Sequence, residues 1–273
     1  MLDLAYCMKL PPAKAIAYLE SKGFAVTWDW QELWQDAQAQ AFTVAKVTRL
    51  DILQDIFDAV AKAQKQGQTL AAFSKELTPI LQAKGWWGRK EHVDADGVVS
   101  TVQLGSPWRL ETIYRVNLQT AYMAGRFQEQ LSNVDDRPYW QYVAILDGRT
   151  RPGHRAMDGK IFRYDDPFWA SFYPPNGWRC RCRVVALAER DLGNSKNVES
   201  STGKLGQSMR QVSRSSDEMR PVATYRATDP ATGKTVTVSP DVGWSYNPGA
   251  AAWQPDPSRY TGTLAPLAKK ELK

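Results

Sequence analysis

The chain has 273 residues, which is enough to bury the core of one large domain or two ordinary ones. Hydrophobic residues make up 43% and charged residues 23%, a balance that excludes a disordered, collagen-like or small disulfide-stapled protein. Lys and Arg number 35 against 29 Asp and Glu, and the resulting net charge of +6 permits an anionic partner without requiring one.

The cysteines and the hydropathy pattern bear on the compartment in which the chain works. Three cysteines occur, Cys7, Cys180 and Cys182, and this odd number favours a reducing compartment over a secretory disulfide framework. The sequence has no run of about 18 apolar residues, and no basic segment followed by an apolar one at its start. We therefore expect no transmembrane helix, no secretion signal and no membrane partner.

The first third of the chain has the periodicity of helices. A helix is predicted over residues 13–22, and Asp29 with Glu32 forms a capping box before a further helical segment. Apolar residues repeat at intervals of three and four between residues 48 and 66, and Gly67 then provides a stop. Thr69 can cap the next helix, which Pro79 is expected to kink or divide.

The middle of the chain combines a hairpin, a long helix and two strands. Residues 88–105 predict a short hairpin that turns at Asp96 and Gly97. Ser106 followed by Pro107 marks the start of a long helix that ends near Leu131. Strands are predicted over residues 139–146 and 180–187, and the irregular stretch of about thirty residues between them has a length typical of functional loops.

The last part of the chain is more polar. Residues 193–218 predict a mobile linker or an arm that orders on a partner, and residues 222–239 predict a hairpin. Together these patterns predict an α+β protein in four parts. The parts are a helical N-terminal region (1–87), a hairpin or linker (88–105), a core domain with the long helix packed on a small antiparallel sheet (106–190), and an extended C-terminal tail (191–273).

The loop between the two strands contains residues that bind metals. His154, Cys180 and Cys182 are the candidate ligands of an ion such as zinc, because alternate residues of a strand point to one face. Asp147 or Asp158 could supply a fourth ligand. The alternative is a pair of packed thiols beside a hydrogen-bonded histidine, with no cofactor. Another hypothesis from the same residues is a thiol hydrolase with a cysteine nucleophile and His154 as base.

The same loop is strongly basic. Residues 149–183 include eight Lys or Arg and three acidic residues. Such a cluster can contact the phosphates of DNA without reading its sequence, although the same side chains would equally form the ion-paired face of a strand. The candidate nucleic-acid contacts are Arg151, Arg155, Lys160, Arg179, Arg181 and Arg183.

Several short segments in residues 106–187 resemble one family. They are YRVNLQTAY at 114–122, DGRTRP at 147–152 with His154 and Asp158-Gly159 after it, PPNG at 174–177 and CRC at 180–182. Their order is similar to that in the protein F-like minor head proteins of Mu-like bacteriophages, the phage head morphogenesis family.

The resemblance implies a minor capsid protein that acts with the portal protein and with scaffold or major capsid protein in head assembly, DNA packaging or ejection. It implies a location in the capsid interior or at the portal vertex, after assembly in the host cytoplasm, and a structural role without catalysis. The alternative is a DNA-binding or DNA-escort protein, and the third hypothesis is a metal-dependent or thiol enzyme. The residues expected to hold the loop and sheet together are Arg115, Asp147, Arg149, His154, Asp158, Gly159, Asn176, Cys180 and Cys182.

Overall fold

The computed structural model describes residues 13–94, 97–193, 197–213, 216–228 and 233–252. These residues form an α+β protein, as predicted, in which helices of the first half and small sheets of the second half meet along one long helix. Within these ranges, no helix is both long and apolar enough to cross a membrane. Cys7, Asp96 and residues 253–273 of the predicted tail lie outside them.

Short and medium helices form the front of the chain, and their ends follow the local signals of the sequence. Gly67 ends the third helix in a left-handed conformation with φ of 60°, and Thr69 caps the fourth by accepting a hydrogen bond from the N–H of Ala72. The predicted capping box caps a 3-10 turn, where Glu32 Oε1 accepts from the N–H of Asp29 (2.6 Å). The elements are α1 (Ala13–Glu20), β1 (Gly23–Phe24), α2 (Ala37–Gln40), β2 (Ala41–Phe42), α3 (Leu50–Gln66) and α4 (Leu70–Ala83).

Pro79 was predicted to kink or divide its helix; it lies inside α4 and does not divide it. Leu77 and Leu81, on either side of the proline, are both buried in the core of the front helices. Beyond the proline, the N–H of Lys84 still donates to the carbonyl of Ile80 (3.0 Å). Burial of this helix face therefore outweighs the local cost of the missing N–H.

The predicted hairpin is confirmed. β3 (Arg89–Val93) pairs antiparallel with β4 (Val99–Gln103), and Gly97 in the turn has φ of 80°, a conformation that favours glycine. Most side chains of both strands are exposed, so this excursion contributes little to either core.

One long helix, α5 (Pro107–Leu131), connects the two halves of the molecule. As predicted, Ser106 caps it, accepting a hydrogen bond from the N–H of Arg109 (3.2 Å). Leu110 near its start lies in the core of the front helices, whereas Phe127 near its end lies in the core of the sheet. The boundaries predicted at residues 87, 105 and 190 stay predictions.

The second core is built on a four-stranded sheet. Alternate residues of one strand, Trp140 and Tyr142, are fully buried on the same face. The strands are β5 (Tyr139–Val143), β6 (Ile161–Arg163), β7 (Arg183–Leu187) and β8 (Val198–Glu199). Their order in the sheet is β7-β5-β6-β8. β5 is antiparallel to β6 and β7, and β8 is parallel to β6.

The structure corrects three details of the predicted sheet and loop. The first predicted strand is shorter and the second begins later, because the ladder between them ends at the pair Val143 and Arg183. Cys180 and Cys182 therefore precede β7 and do not lie in it. The predicted irregular loop contains β6 and two short helices, α6 (Pro152–Met157) and α7 (Phe168–Phe172), which the burial of their apolar side chains orders.

The polar segment over residues 193–218 is not a mobile linker in its described part, because long main-chain ladders order it. β9 (Leu205–Ser213) and β10 (Ser216–Thr228) form an antiparallel ribbon, and β11 (Thr235–Val238) pairs with the end of β10. The predicted hairpin of β10 and β11 is confirmed, with turn residues 229–232 outside the described ranges. The tail then returns to the core, where Trp244 is buried and α8 (Pro248–Ala252) packs on α5.

Candidate functional site

The loop that follows β5 is closed by Asp147. Its carboxylate accepts two hydrogen bonds from the guanidinium of Arg181, both at 2.7 Å, and a third from the N–H of Arg149 (3.0 Å). The pKa of Asp147 lies well below its usual range, chiefly because of the hydrogen bonds from Arg181. The N–H of Arg149 and the positive charge of Arg181 lower it further. Asp147 is therefore tied to the segment that carries the two cysteines.

Asp158 and Gly159 fix the return of the chain toward β6. Asp158 Oδ1 accepts a hydrogen bond from the N–H of Ala144 (2.7 Å), just beyond β5. Gly159 has φ of 77°, which a residue with a Cβ adopts only with strain, and its N–H donates to the carbonyl of Tyr142 (2.9 Å). This turn places α6, with His154, beside β5.

His154, Cys180 and Cys182 converge behind this loop. His154 Nδ1 lies 3.3 Å from Sγ of Cys182 and 3.7 Å from Sγ of Cys180. All three residues are buried, with exposed fractions of 4%, 5% and 3% for His154, Cys180 and Cys182. The structure thus brings together the three residues that the sequence selected as candidate ligands, and we call them the thiol–imidazole cluster.

Tyr142 and Asn176 cover one side of the thiol–imidazole cluster. The hydroxyl of Tyr142 donates to Oδ1 of Asn176 (2.9 Å) and lies within hydrogen-bonding reach of the Cys182 thiol. The N–H of Asn176, which follows the cis peptide bond between Pro174 and Pro175, donates to the sulfur of Cys180.

The two thiols differ in their tendency to ionise. Hydrogen bonds from the Cys182 thiol, from His154 and from the Asn176 N–H lower the pKa of Cys180 well below its usual range, although burial opposes this. The pKa of Cys182 is raised, because its thiol donates to Cys180 and is itself buried beside that charge. Of the two thiols, Cys180 is therefore the one whose ionisation its surroundings favour.

Neither carboxylate that was predicted as a fourth ligand lies in the cluster. Asp147 is engaged by Arg181, and Asp158 by the N–H of Ala144. Among the described residues, the groups of His, Cys, Asp and Glu close enough to share an ion reduce to His154, Cys180 and Cys182. Both aspartates bond within the loop instead.

Most of the basic residues predicted to contact nucleic acid are ion-paired. Lys160 pairs with Glu199 (2.7 Å) and is almost fully buried. Three arginines pair with acidic residues on other segments; these pairs are Arg151 with Asp241 (3.0 Å), Arg179 with Glu111 (3.2 Å) and Arg181 with Asp147 (2.7 Å). Arg155 and Arg183 have exposed side chains. The ion-paired interpretation therefore describes four of the six candidates.

A basic groove nevertheless opens beside the thiol–imidazole cluster. It has a volume of about 660 Å³ and lies between α5, the start of the loop and the segment before β7, with Cys180 in its wall. Arg115 extends into it from α5, where its Nε also donates to Glu111 (2.8 Å), the acidic residue of the lining. We call it the arginine groove, after its residues Arg115, Arg149, Arg151, Arg179 and Arg181.

Acidic residues and a tail segment that no sequence pattern predicted complete the site. Asp241, just after β11, bonds Arg151 and accepts from the N–H of Trp178 (3.2 Å), while its own N–H donates to the carbonyl of Asn176 (3.0 Å). The side chain of Asp241 fills the space where Gly177 has no Cβ. No local pattern marks Asp241, which lies 64 positions after Gly177.

Sequence comparisons with known proteins match the part of the chain that carries this site. The family model described as "Phage Mu protein F like protein" matches residues 54–185, a range that includes the thiol–imidazole cluster and the arginine groove. The chain is 46% identical over 258 residues to "Putative capsid assembly protein F" of Escherichia phage Mu, covering 93% of this chain and 58% of that protein.

A second relative comes from a bacterial genome. The chain is 43% identical over 235 residues to the "Mu-like prophage FluMu F protein" of Haemophilus influenzae, covering 85% of this chain and 55% of that protein. The chain spans a little over half the length of these curated relatives. No solved structure matches it with statistical significance.

Proposed function

Because this chain belongs to the Phage Mu protein F like family, we propose that it acts in phage head morphogenesis, as a minor capsid protein of a Mu-like phage or prophage. The observation that carries the proposal is the 46% identity to a putative capsid assembly protein, spread over 93% of this chain. An identity of this extent covers both cores and the described tail as well as the loop motifs.

The proposed partners are the portal protein and the scaffold or major capsid protein, and the proposed location is the capsid interior or the portal vertex. Assembly would take place in the host cytoplasm. We assign the chain no catalytic step, since the thiols of Cys180 and Cys182 are almost fully buried, whereas reactive cysteines are partly exposed.

Quantitative mass spectrometry of purified heads tests this proposal. Heads assembled with the portal protein should contain a few copies of this chain per particle, and heads assembled without it should contain none. Major capsid protein measured in the same samples provides the internal standard. Absence of the chain from both kinds of particle would contradict a place in the virion.

A second candidate function is contact with phage DNA, and the arginine groove favours it. Five arginines line this groove; four of them pair with Glu111, Asp147 or Asp241, and Arg149 is the one without an ion pair among the described residues. Trp178 in the same wall offers a ring on which a base could stack. Under this proposal the contacts are to phosphates and carry no sequence preference, because such contacts fix position without reading bases.

Charge reversal in the groove tests the second candidate. Binding of double-stranded DNA should weaken steeply with added salt. Arg149→Glu should lower the affinity, and it should reduce the slope of the logarithm of the binding constant against the logarithm of salt concentration by about one unit for one lost phosphate contact. Arg89→Glu is the matched control, since Arg89 is exposed on β3, outside the groove lining, and is not among the predicted nucleic-acid contacts. Binding that is insensitive to salt, or equally weakened by both variants, would argue against the groove as a DNA contact.

A further inference from the structure

The atoms of the thiol–imidazole cluster have the spacing of ligands around one zinc ion. With zinc–sulfur bonds of about 2.3 Å and zinc–nitrogen bonds of about 2.05 Å, a tetrahedral site separates nitrogen from sulfur by about 3.6 Å. The observed separations from His154 Nδ1 are 3.3 Å to Cys182 and 3.7 Å to Cys180. All three ligand atoms lie within 4.8 Å of one another.

Two buried polar atoms at the cluster lack a hydrogen-bond partner among the described residues. They are His154 Nε2 and Asn176 Nδ2. His154 is 4% exposed and Asn176 is 0% exposed. Once Nδ1 of His154 binds a metal, its Nε2 carries a proton, so this atom and Asn176 Nδ2 are both donors that need an acceptor and would not themselves contact the ion.

The protein surroundings match those of a metal-bound thiolate. The N–H of Asn176 donates to the sulfur of Cys180, and the hydroxyl of Tyr142 lies within reach of the sulfur of Cys182. Hydrogen bonds to ligand atoms orient them and limit the charge that the metal must neutralise. A divalent cation would in turn offset the high cost of burying thiolate charge.

An entry path leads to this position. Cys180 forms part of the wall of the arginine groove, which is open to solvent along α5. The ligands come from two separate pieces of the chain, α6 for His154 and the segment before β7 for the cysteines, and both are already held by Asp147, Asp158 and Asn176. The site would therefore be formed before a metal arrives.

We propose that His154, Cys180 and Cys182 bind one zinc ion through Nδ1 and the two Sγ atoms. Imidazole and thiolate are the donors that zinc prefers in proteins, and the set contains no oxygen ligand of the kind favoured by magnesium or calcium. With three protein ligands, the fourth tetrahedral position remains for water or for a side chain supplied by a partner. The ion would fasten α6 to the segment before β7, in the middle of the loop.

Metal analysis of the full chain tests the site. The chain is expressed with added zinc, passed through gel filtration in buffer free of metal, and its metals are measured by mass spectrometry. We expect about one zinc per chain in the wild type and the loss of most of it in His154→Gln, Cys180→Ser and Cys182→Ser. Changes to groups that only support a ligand weaken metal binding about 10- to 100-fold, so removing a ligand should weaken it at least as much.

The matched control is His92→Gln, which changes the other histidine of the chain. His92 lies in β3 and stacks on Trp28, with ring centroids 3.9 Å apart, and it is not part of the cluster. This variant should keep its zinc. Circular dichroism checks that every variant is folded.

Cobalt substitution of the wild type makes the test independent of the variants. Co²⁺ should give the visible absorption of a tetrahedral site together with a sulfur-to-metal charge-transfer band. A wild-type chain that carries no zinc and gives no such band would overturn the proposal, as would full zinc content in the Cys182→Ser variant. Stoichiometric iron or copper in place of zinc would overturn the assignment of the ion.

Discussion

Replacing Trp140 by alanine should lower the free energy of unfolding by about 3–5 kcal/mol, the largest loss we expect from a single change. Trp140 is fully buried in β5 and meets three other rings edge-on, those of Phe127, Trp169 and Tyr173, with centroids 5.6–5.9 Å apart. Its removal would leave a cavity at the point where α5, α7 and the sheet meet. Urea denaturation measures the change as a lower midpoint at an unchanged slope.

Two further variants show whether the loss comes from this packing. Trp140→Phe keeps a ring in the cavity and removes an indole N–H that is buried without a partner among the described residues, so its loss should be clearly smaller. Trp108→Ala removes a tryptophan that is 64% exposed and stacked under Arg179, and should cost no more than about 1 kcal/mol. Equal losses in Trp108→Ala and Trp140→Ala would contradict this account of the core.

Gly125→Ala should also destabilise the protein, by about 1–3 kcal/mol, although alanine is the better helix former. Gly125 lies in α5 where α1 crosses it, and a Cβ there would stand 2.5 Å from the backbone nitrogen of Ala15. Because the obstructing atom belongs to the backbone of α1, the two helices must move apart. Thermal or urea unfolding detects the difference.

Gly153→Ala is the control for this prediction, because Gly153 is also helical but has room for a methyl group. The nearest atoms to its Cβ position belong to Val238, at 3.7 Å, an ordinary van der Waals distance. We therefore expect this substitution to be neutral or to stabilise the protein by up to about 1 kcal/mol. A loss of stability in both variants would mean that close helix packing at Gly125 is not the cause.

Local signals predicted the helical part of this fold well, because a helix and its ends are determined by residues close in sequence. The cap at Ser106, the stop at Gly67 and the cap at Thr69 all lie where the chain indicates. Strand β9 and the start of β10 were missed for the opposite reason. The side chains of β9 are mostly exposed, and its order comes from main-chain pairing with β10, so it has no hydrophobic alternation to detect.

The site could be predicted in its residue types but not in its full set of contacts. Residue chemistry was enough to select His154, Cys180 and Cys182, and the fold does bring them together. The prediction that both cysteines lie in a strand was wrong, because they precede β7. The partners of the arginines were not predictable. Asp241 and Glu111 come from distant parts of the chain, and only the tertiary structure places them beside Arg151 and Arg179.

A helix that belongs to both cores has a consequence for how the molecule unfolds. α5 has 25 residues, a length of about 37 Å, and places Leu110 in one core and Phe127 in the other. If α5 unfolds in one core, the part of the helix in the other core is disturbed as well, and apolar surface is exposed there too. We therefore expect the slowest-exchanging amides of both halves to open with the same free energy, as one cooperative unit.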